Sequence, residues 1–199
     1  MIEQAREWLE KAASVAVLTG AGISAESGVP TFRGAEGLWK NYRPEELATP
    51  EAFARDPRLV WEWYNWRRER IARVKPNPAH HALVRLEMRK RHFTLITQNV
   101  DGLHDAAGSG KVLKLHGDIW RLRCTACGAD WPDRRTPLPK LPPHCGCGGL
   151  ARPGVVWFGE PLPEAAVRAM MLLRAVALLQ GYSGIRLEGV RLLLRMLEE

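Results

Sequence analysis

Val15-Ala16-Val17-Leu18-Thr19-Gly20-Ala21-Gly22-Ile23-Ser24-Ala25 decides the fold. Its first half is apolar and β-branched, the pattern of a buried strand. It runs into Gly20-x-Gly22-x-x-Ala25, a turn whose missing Cβ atoms let backbone approach a pyrophosphate. A helix starting near Ser24 would turn its free N–H groups and positive end toward phosphates. Gly-rich strand-to-helix turns are also common as plain structure, so the surrounding residues decide what this one does.

Two further strands are expected. Phe93-Thr94-Leu95-Ile96-Thr97 is a second buried run, ending in Gln98-Asn99-Val100-Asp101-Gly102-Leu103-His104. Polar residues at the carboxyl end of a strand sit where α/β folds bind ligands. Val112–Gly117 is a third short strand with His116 at its end. A lone strand-end histidine is usually structural; beside two ligand loops it becomes a general-base candidate. Glu26–Gly34 is rich in breakers, and its Phe32 and Arg33 suit either a cofactor cover or an ordinary surface loop.

Helical patterns lie between these strands. Residues 2–13 place Ile2, Ala5, Leu9 and Ala12 on one face. Thr49-Pro50 reads as an N-cap with proline at the first helical position. Residues 58–74 repeat Val60, Tyr64, Arg67 and Ile71 at helical spacing. Arg67 on that apolar face either snorkels to water, with Tyr64, Trp61, Trp63 and Trp66 as core, or joins Tyr64 in a carboxylate-recognising pocket. Pro76-Asn77-Pro78 breaks the chain before a helix over 79–90, where His80 and His81 read as surface or cap residues.

The 199 residues fit one domain, or one domain plus a small module. No run is apolar and long enough to span a bilayer, and the N-terminus carries no signal-peptide pattern, so a cytoplasmic setting is expected. The net charge of +7 fits a solvated basic surface or attraction for an anion, a phosphate cofactor or a nucleic acid. In a reducing compartment, Cys124-x-x-Cys127 with Cys145-x-Cys147 favours a structural, tetrahedral zinc site over disulfides. His144 is a possible substitute ligand, expected to point away. Arg152–Glu160 is an extended, apolar return that could offer an edge to a peptide strand, and 164–180 reads as helix.

These pieces, in this order, resemble the sirtuin family of NAD-dependent protein-lysine deacylases. The matching stretches are Gly20–Ser24, Gly28–Gly34, Thr97–His104, Leu115–Gly117, the cysteine module and Gly154–Glu160, within about residues 10–165. The resemblance implies an α/β fold: a Rossmann-like parallel sheet over 1–120 and 150–199, with a zinc-binding module inserted at 121–149. NAD and an acylated lysine peptide would meet between them. Gly20, Ala21, Gly22 and Ile23 would line the diphosphate and nicotinamide region, and Ser24 and Thr31 would also bind the cofactor. Phe32 would cover the reacting ribose, Arg33 would reach polar parts of the cofactor, and Trp39 would join them. Gln98, Asn99 and Asp101 would hold ribose and amide, with His116 as catalytic base. Cys124, Cys127, Cys145 and Cys147 would hold one zinc ion, and Val156, Trp157, Phe158 and Gly159 would pair with the peptide. Tyr64 and Arg67 match the pair of members that remove succinyl or malonyl groups, a class with bacterial representatives.

The chemistry so implied starts with attack of the acyl oxygen on the anomeric carbon, expelling nicotinamide. His116 then deprotonates a ribose hydroxyl, and the products are lysine, nicotinamide and O-acyl-ADP-ribose. After about residue 167 the family's Gly-Thr-Ser strand and Asn-x-Glu-like segment are absent, as from a shifted reading frame or truncated gene product. Two alternatives follow: an inactive or truncated sirtuin-like zinc protein with weak NAD or partner binding, and a zinc-ribbon nucleic-acid binder. The second ranks last, because aromatic and basic residues do not interleave around the cysteines.

Overall fold

The computed structural model describes residues 2–30 and 47–168. Its first sheet is parallel, in the order β1 (Ser14–Thr19), β2 (His92–Thr97), β3 (Val112–Lys114). Ser14 lies opposite His92 and Thr97 opposite Lys114, so the three strands end level. The second sheet is antiparallel, with β4 (Gly117–Cys124) between β5 (Asp130–Pro132) and β6 (Ala151–Val155). The expected third strand is shorter than 112–117. His116 sits in the turn that carries the chain from β3 into β4.

The expectation that β1 is buried is corrected. Only Thr19 is buried; Ser14 and Ala16 are exposed. Among the described residues β1 pairs with β2 alone and is the outer strand of the sheet. β2 buries Leu95, Ile96 and Thr97.

The first helix, α1 (Ile2–Lys11), precedes β1, and α2 (Ala21–Ala25) follows it. Leu9 of α1 is exposed, contrary to the apolar face read for it. The next three helices start on one local rule, a polar cap followed by proline. Thr49 caps α3 (Pro50–Arg55), its hydroxyl accepting from the Ala52 N–H at 3.1 Å. Asp56 caps α4 (Pro57–Ala72), and Asn77 caps α5 (Pro78–Arg89) in a capping box with the His80 ring. The helix α6 (Leu103–Ala107) is a single short piece after β2.

The largest hydrophobic cluster lies between α3, α4 and the second sheet. Phe53, Val60, Trp61, Trp63 and Tyr64 meet Ile119, Leu122, Ala151, Val155 and Trp157 there. The Trp61 indole N–H donates to the Ala151 carbonyl at 2.7 Å, locking α4 to β6. Trp66 was grouped with the core tryptophans but is exposed, because it faces away from that cluster. Residues 164–168 are helical; the rest of the helix expected over 164–180, and the tail beyond it, lie outside the described residues. Among the described residues no helix is long and apolar enough to cross a membrane.

Candidate functional site

Hydrogen bonds tie the glycine turn to the end of β2. The Asn99 amide donates to the Gly20 carbonyl at 3.0 Å and to Ser24 Oγ at 3.1 Å. Ser24 Oγ in turn donates to Asp101 Oδ2 at 2.8 Å, and Asp101 Oδ1 accepts from the Leu103 N–H. Ser24, Asn99 and Asp101 are all buried. The helix after the turn begins at Ala21, not near Ser24, and is only five residues long, too short for much of a dipole. A Cβ on Gly22 would meet no described atom within 4 Å, and one on Gly20 only Gln98 Oε1 at 3.8 Å. Among the described residues, little packs against these two glycines. Ile23 is held from outside, its carbonyl accepting from the Asn77 amide at 2.7 Å.

Gln98 joins this turn to His116. Its backbone N–H donates to the Thr19 carbonyl at 2.9 Å, and its carbonyl lies 3.0 Å from His116 Nδ1. A carbonyl only accepts, so Nδ1 carries the proton and Nε2 keeps its lone pair. Burial pushes the imidazole pKa below its usual value, partly opposed by that hydrogen bond, which keeps the ring neutral near pH 7. The next residue, Gly117, has φ +79°, and a Cβ there would stand 2.2 Å from the Gly154 carbonyl oxygen. Only glycine lets β4 and β6 close behind His116.

The α4 pair faces the same strands. Tyr64 and Arg67 are both buried, so Arg67 does not snorkel to water. The guanidinium lies 4.8 Å from the Trp63 ring centre and 5.8 Å from that of Tyr64. Burial pushes the Arg67 pKa down, opposed by Tyr64 and by the charge of Asp101. Burial raises the Tyr64 pKa, so the phenol is neutral. The Trp157 indole N–H donates to the Tyr64 oxygen at 3.0 Å, which leaves the phenol's own proton free to donate elsewhere. Trp157 itself is buried, with the Arg152 guanidinium 3.5 Å over its ring, while Phe158 is exposed. Three donors in the expected peptide-pairing stretch are engaged within the chain. The Val156 N–H goes to the His116 carbonyl, that of Trp157 to Glu160, and that of Phe158 to the Ala48 carbonyl.

The four cysteines converge. Their sulfurs lie within 4.8 Å of one another, with Cys124 and Cys147 at 3.5 Å and Cys127 and Cys145 at 3.8 Å. Zinc–sulfur bonds of about 2.3 Å in a tetrahedron give sulfur separations of about 3.8 Å, so the set fits one such ion. A Cβ on Gly149 would strike Ala126 at 2.7 Å and crowd Cys124 Sγ at 3.0 Å, so the cradle needs glycine there. N–H groups of Cys127 and Ala126 hold the Cys124 thiol near 6, the thiolate form that binds metal. His144 is exposed and stands outside the cluster.

Thr31, Phe32, Arg33 and Trp39 lie outside the described residues. Of the surface and cap readings, His80 takes the second: its ring closes the cap of α5, wholly buried and 4.8 Å from the ring of His104. His104, quoted above only as part of a string, is buried with Nε2 2.9 Å from Thr19 Oγ1. Arg68 and Trp120 carry no motif in the sequence. Arg68 shares the helical stripe of Trp61, Tyr64 and Ile71, a spacing that marks its burial but not its partners.

A family model, the Sir2 family, matches residues 20–181 of this chain. The chain belongs to the Sir2 family. The match runs to residue 181 and so corrects the expectation that the resemblance stops after about residue 167. An Aquifex aeolicus "NAD-dependent protein deacylase" is 58% identical over 176 residues, covering 86% of this Sir2 chain and 74% of the relative. A solved Sir2 homologue variant with ADP-ribose is 50% identical, with a TM-score of 0.76 over 83% of this chain and 68% of its own. A Sir2 homologue–NAD complex is 51% identical, with a TM-score of 0.74 over 82% of this chain and 66% of its own.

Proposed function

We propose that this Sir2 chain is an NAD-dependent protein-lysine deacylase whose Tyr64 and Arg67 admit succinyl and malonyl groups. One observation carries the reading: the Gln98 carbonyl lies 3.0 Å from His116 Nδ1 and its side-chain oxygen lies 3.8 Å from the Cβ position of Gly20, so one residue adjoins both the candidate base and the glycine turn.

NAD supplies the electrophilic sugar carbon and the leaving nicotinamide. Gly20, Ala21, Gly22 and Ile23 leave room for the diphosphate, while Ser24, Gln98, Asn99 and Asp101 bind ribose hydroxyls and the amide. Thr31, Phe32, Arg33 and Trp39, outside the described residues, are assigned to the cofactor on the family resemblance alone. His116 Nε2 takes the ribose proton, and a ring kept neutral by burial is ready to do so. The products are lysine, nicotinamide and O-acyl-ADP-ribose. The acylated peptide runs along Val156, Trp157, Phe158 and Gly159, pairing through groups other than the three engaged N–H donors. Cys124, Cys127, Cys145 and Cys147 hold zinc remote from the chemistry, in a module over 121–149, and a reducing, cytoplasmic setting keeps them from pairing as disulfides.

The buried guanidinium supports the acyl preference. A succinyl carboxylate would make a charge-assisted contact with Arg67, and the Tyr64 proton would complete a two-point contact. The test is nicotinamide release from NAD with succinyl- and acetyl-lysine peptides. Arg67→Met should lower kcat/KM on the succinyl peptide by roughly 10²-fold, the scale of a lost charge-assisted contact, and change the acetyl value only a few-fold. Equal losses reject the carboxylate pocket. No release from folded protein leaves a non-catalytic zinc protein.

A further inference from the structure

The loop that carries Asn99 and Asp101 is fastened from the second sheet at two points. The Ile119 N–H donates to the Val100 carbonyl at 3.0 Å, and the Trp120 indole N–H to the Asp101 carbonyl at 2.7 Å. Only the second comes from a side chain. The same indole fills the space beside Gly102, whose Cβ position would be 3.0 Å from the ring. The peptide between Asp101 and Gly102 is thus fixed by a hydrogen bond and by a wall. Its orientation sets where the Asp101 carboxylate points, and that carboxylate holds Ser24.

Trp120 is itself clamped. It is buried, its backbone N–H donates to Asp118 at 2.8 Å, and its carbonyl accepts from the Asp133 N–H at 2.8 Å. Arg68, fully buried on α4, lies 5.2 Å from the ring centre. Its guanidinium donates to the carbonyls of Ile119 at 3.1 Å, Asp133 at 2.6 Å and Arg135 at 3.1 Å, with the Asp133 carboxylate at 3.7 Å. Arg68 adjoins Arg67, so the brace ends on the helix that carries the acyl pocket.

We propose that Trp120, braced by Arg68, is a positioning residue for the dinucleotide site, holding the Asp101–Gly102 peptide in the conformation that binds NAD. This rests on the reading of Asn99 and Asp101 as NAD-binding residues. Trp120→Phe keeps a ring in the core but removes the indole N–H, leaving the buried Asp101 carbonyl without that donor. Arg68→Lys keeps a positive charge near Asp133 but loses the flat fork that spans three carbonyls.

The experiment is calorimetric titration of NAD into the wild-type, Trp120→Phe and Arg68→Lys chains, each with its metal content measured. The expected Kd rise is about 5–10-fold for Trp120→Phe, the scale of one buried hydrogen bond, and about 2–5-fold for Arg68→Lys. Stoichiometry and metal content stay at the wild-type values. General destabilisation would instead lower the fraction of chains that bind, seen as a fall in stoichiometry at unchanged Kd. A Trp120→Phe Kd within twofold of wild type overturns the brace while leaving the NAD reading intact. Absence of NAD binding by the wild type overturns both. Should Trp120→Phe fail to fold, Arg68→Lys decides: a raised Kd at full stoichiometry supports the brace, and an unchanged one rejects it.

Discussion

At the carboxyl end of the parallel sheet, Thr19, Thr97, Asn99, Asp101 and His104 are buried and hydrogen-bonded to one another or to Ser24. At the outer end of the antiparallel sheet, residues 125–130 are all exposed, and what converges there is four sulfurs. The first arrangement is preorganised by the chain alone: each polar group is fixed by another, and no ion is needed. The second gathers four thiols among exposed loop residues, where a bound metal ion would supply the cross-link that the packing of those residues does not. One fold therefore carries two independent failure points, one read in rate and the other in stability.

Metal removal is the strongest way to break that contrast. A structural zinc ion contributes on the order of 10 kcal/mol in isolated modules. A chelator that strips this chain should lower the melting temperature by more than about 10 °C, with re-added zinc restoring it. Hydrogen exchange should show residues 124–150 losing protection before β1–β3. Equal loss in both sheets would mean the module is no separate unit of stability.

His116→Ala tests the other end. Loss of a general base costs roughly 10²–10⁴-fold in turnover, measured at saturating NAD and peptide. The ring is only partly buried, so the melting temperature should stay within about 2 °C of wild type. A large fall in melting with little loss of rate would make His116 a structural histidine.

The parallel sheet was legible because strand, turn and polar end follow one another in the sequence, as in Val15–Ser24 and Phe93–His104. The cysteine cluster was legible because spacing alone restricts what four thiols can do. Tyr64 and Arg67 were legible as a face but not as buried, since helical spacing does not say which neighbour covers it. Trp120 and Arg68 escaped notice for a related reason. Their partners are the backbone carbonyls of Asp101, Ile119, Asp133 and Arg135, and a carbonyl leaves no mark in a sequence. The partial exposure of β1 is not legible either, because burial depends on what packs on the sheet while the strand's own composition reads as buried.

A smaller effect separates the two ends by pH. Burial, with His80 beside it, pushes the His104 pKa down to about 4. Unfolded, the ring titrates near 6.5, so the unfolded chain binds the extra proton first as pH falls. The stability tied to a neutral His104 is complete above pH 6.5 and is lost progressively toward pH 4. It amounts to about 3 kcal/mol over that window. Urea melts across pH 4–7 should show this slope in the wild type and a flatter one in His104→Gln. Identical slopes would mean that His104 is not held neutral.

Thr19→Val sharpens the same point with the least change in shape. The Thr19 hydroxyl lies 2.9 Å from Thr97 Oγ1 and 2.9 Å from His104 Nε2, while His104 Nδ1 has no partner among the described residues. Valine would leave His104 with neither ring nitrogen bonded, a loss of about 1–3 kcal/mol in urea unfolding at neutral pH. Adding His104→Leu removes the second polar partner as well as the first. The double variant should then lose less than the sum of the two single losses, because an unsatisfied buried group costs more than an absent one. Additive losses would show that the hydroxyl and the imidazole do not stabilise each other, and that preorganisation at this end of the sheet comes from Asn99, Ser24 and Asp101 without them.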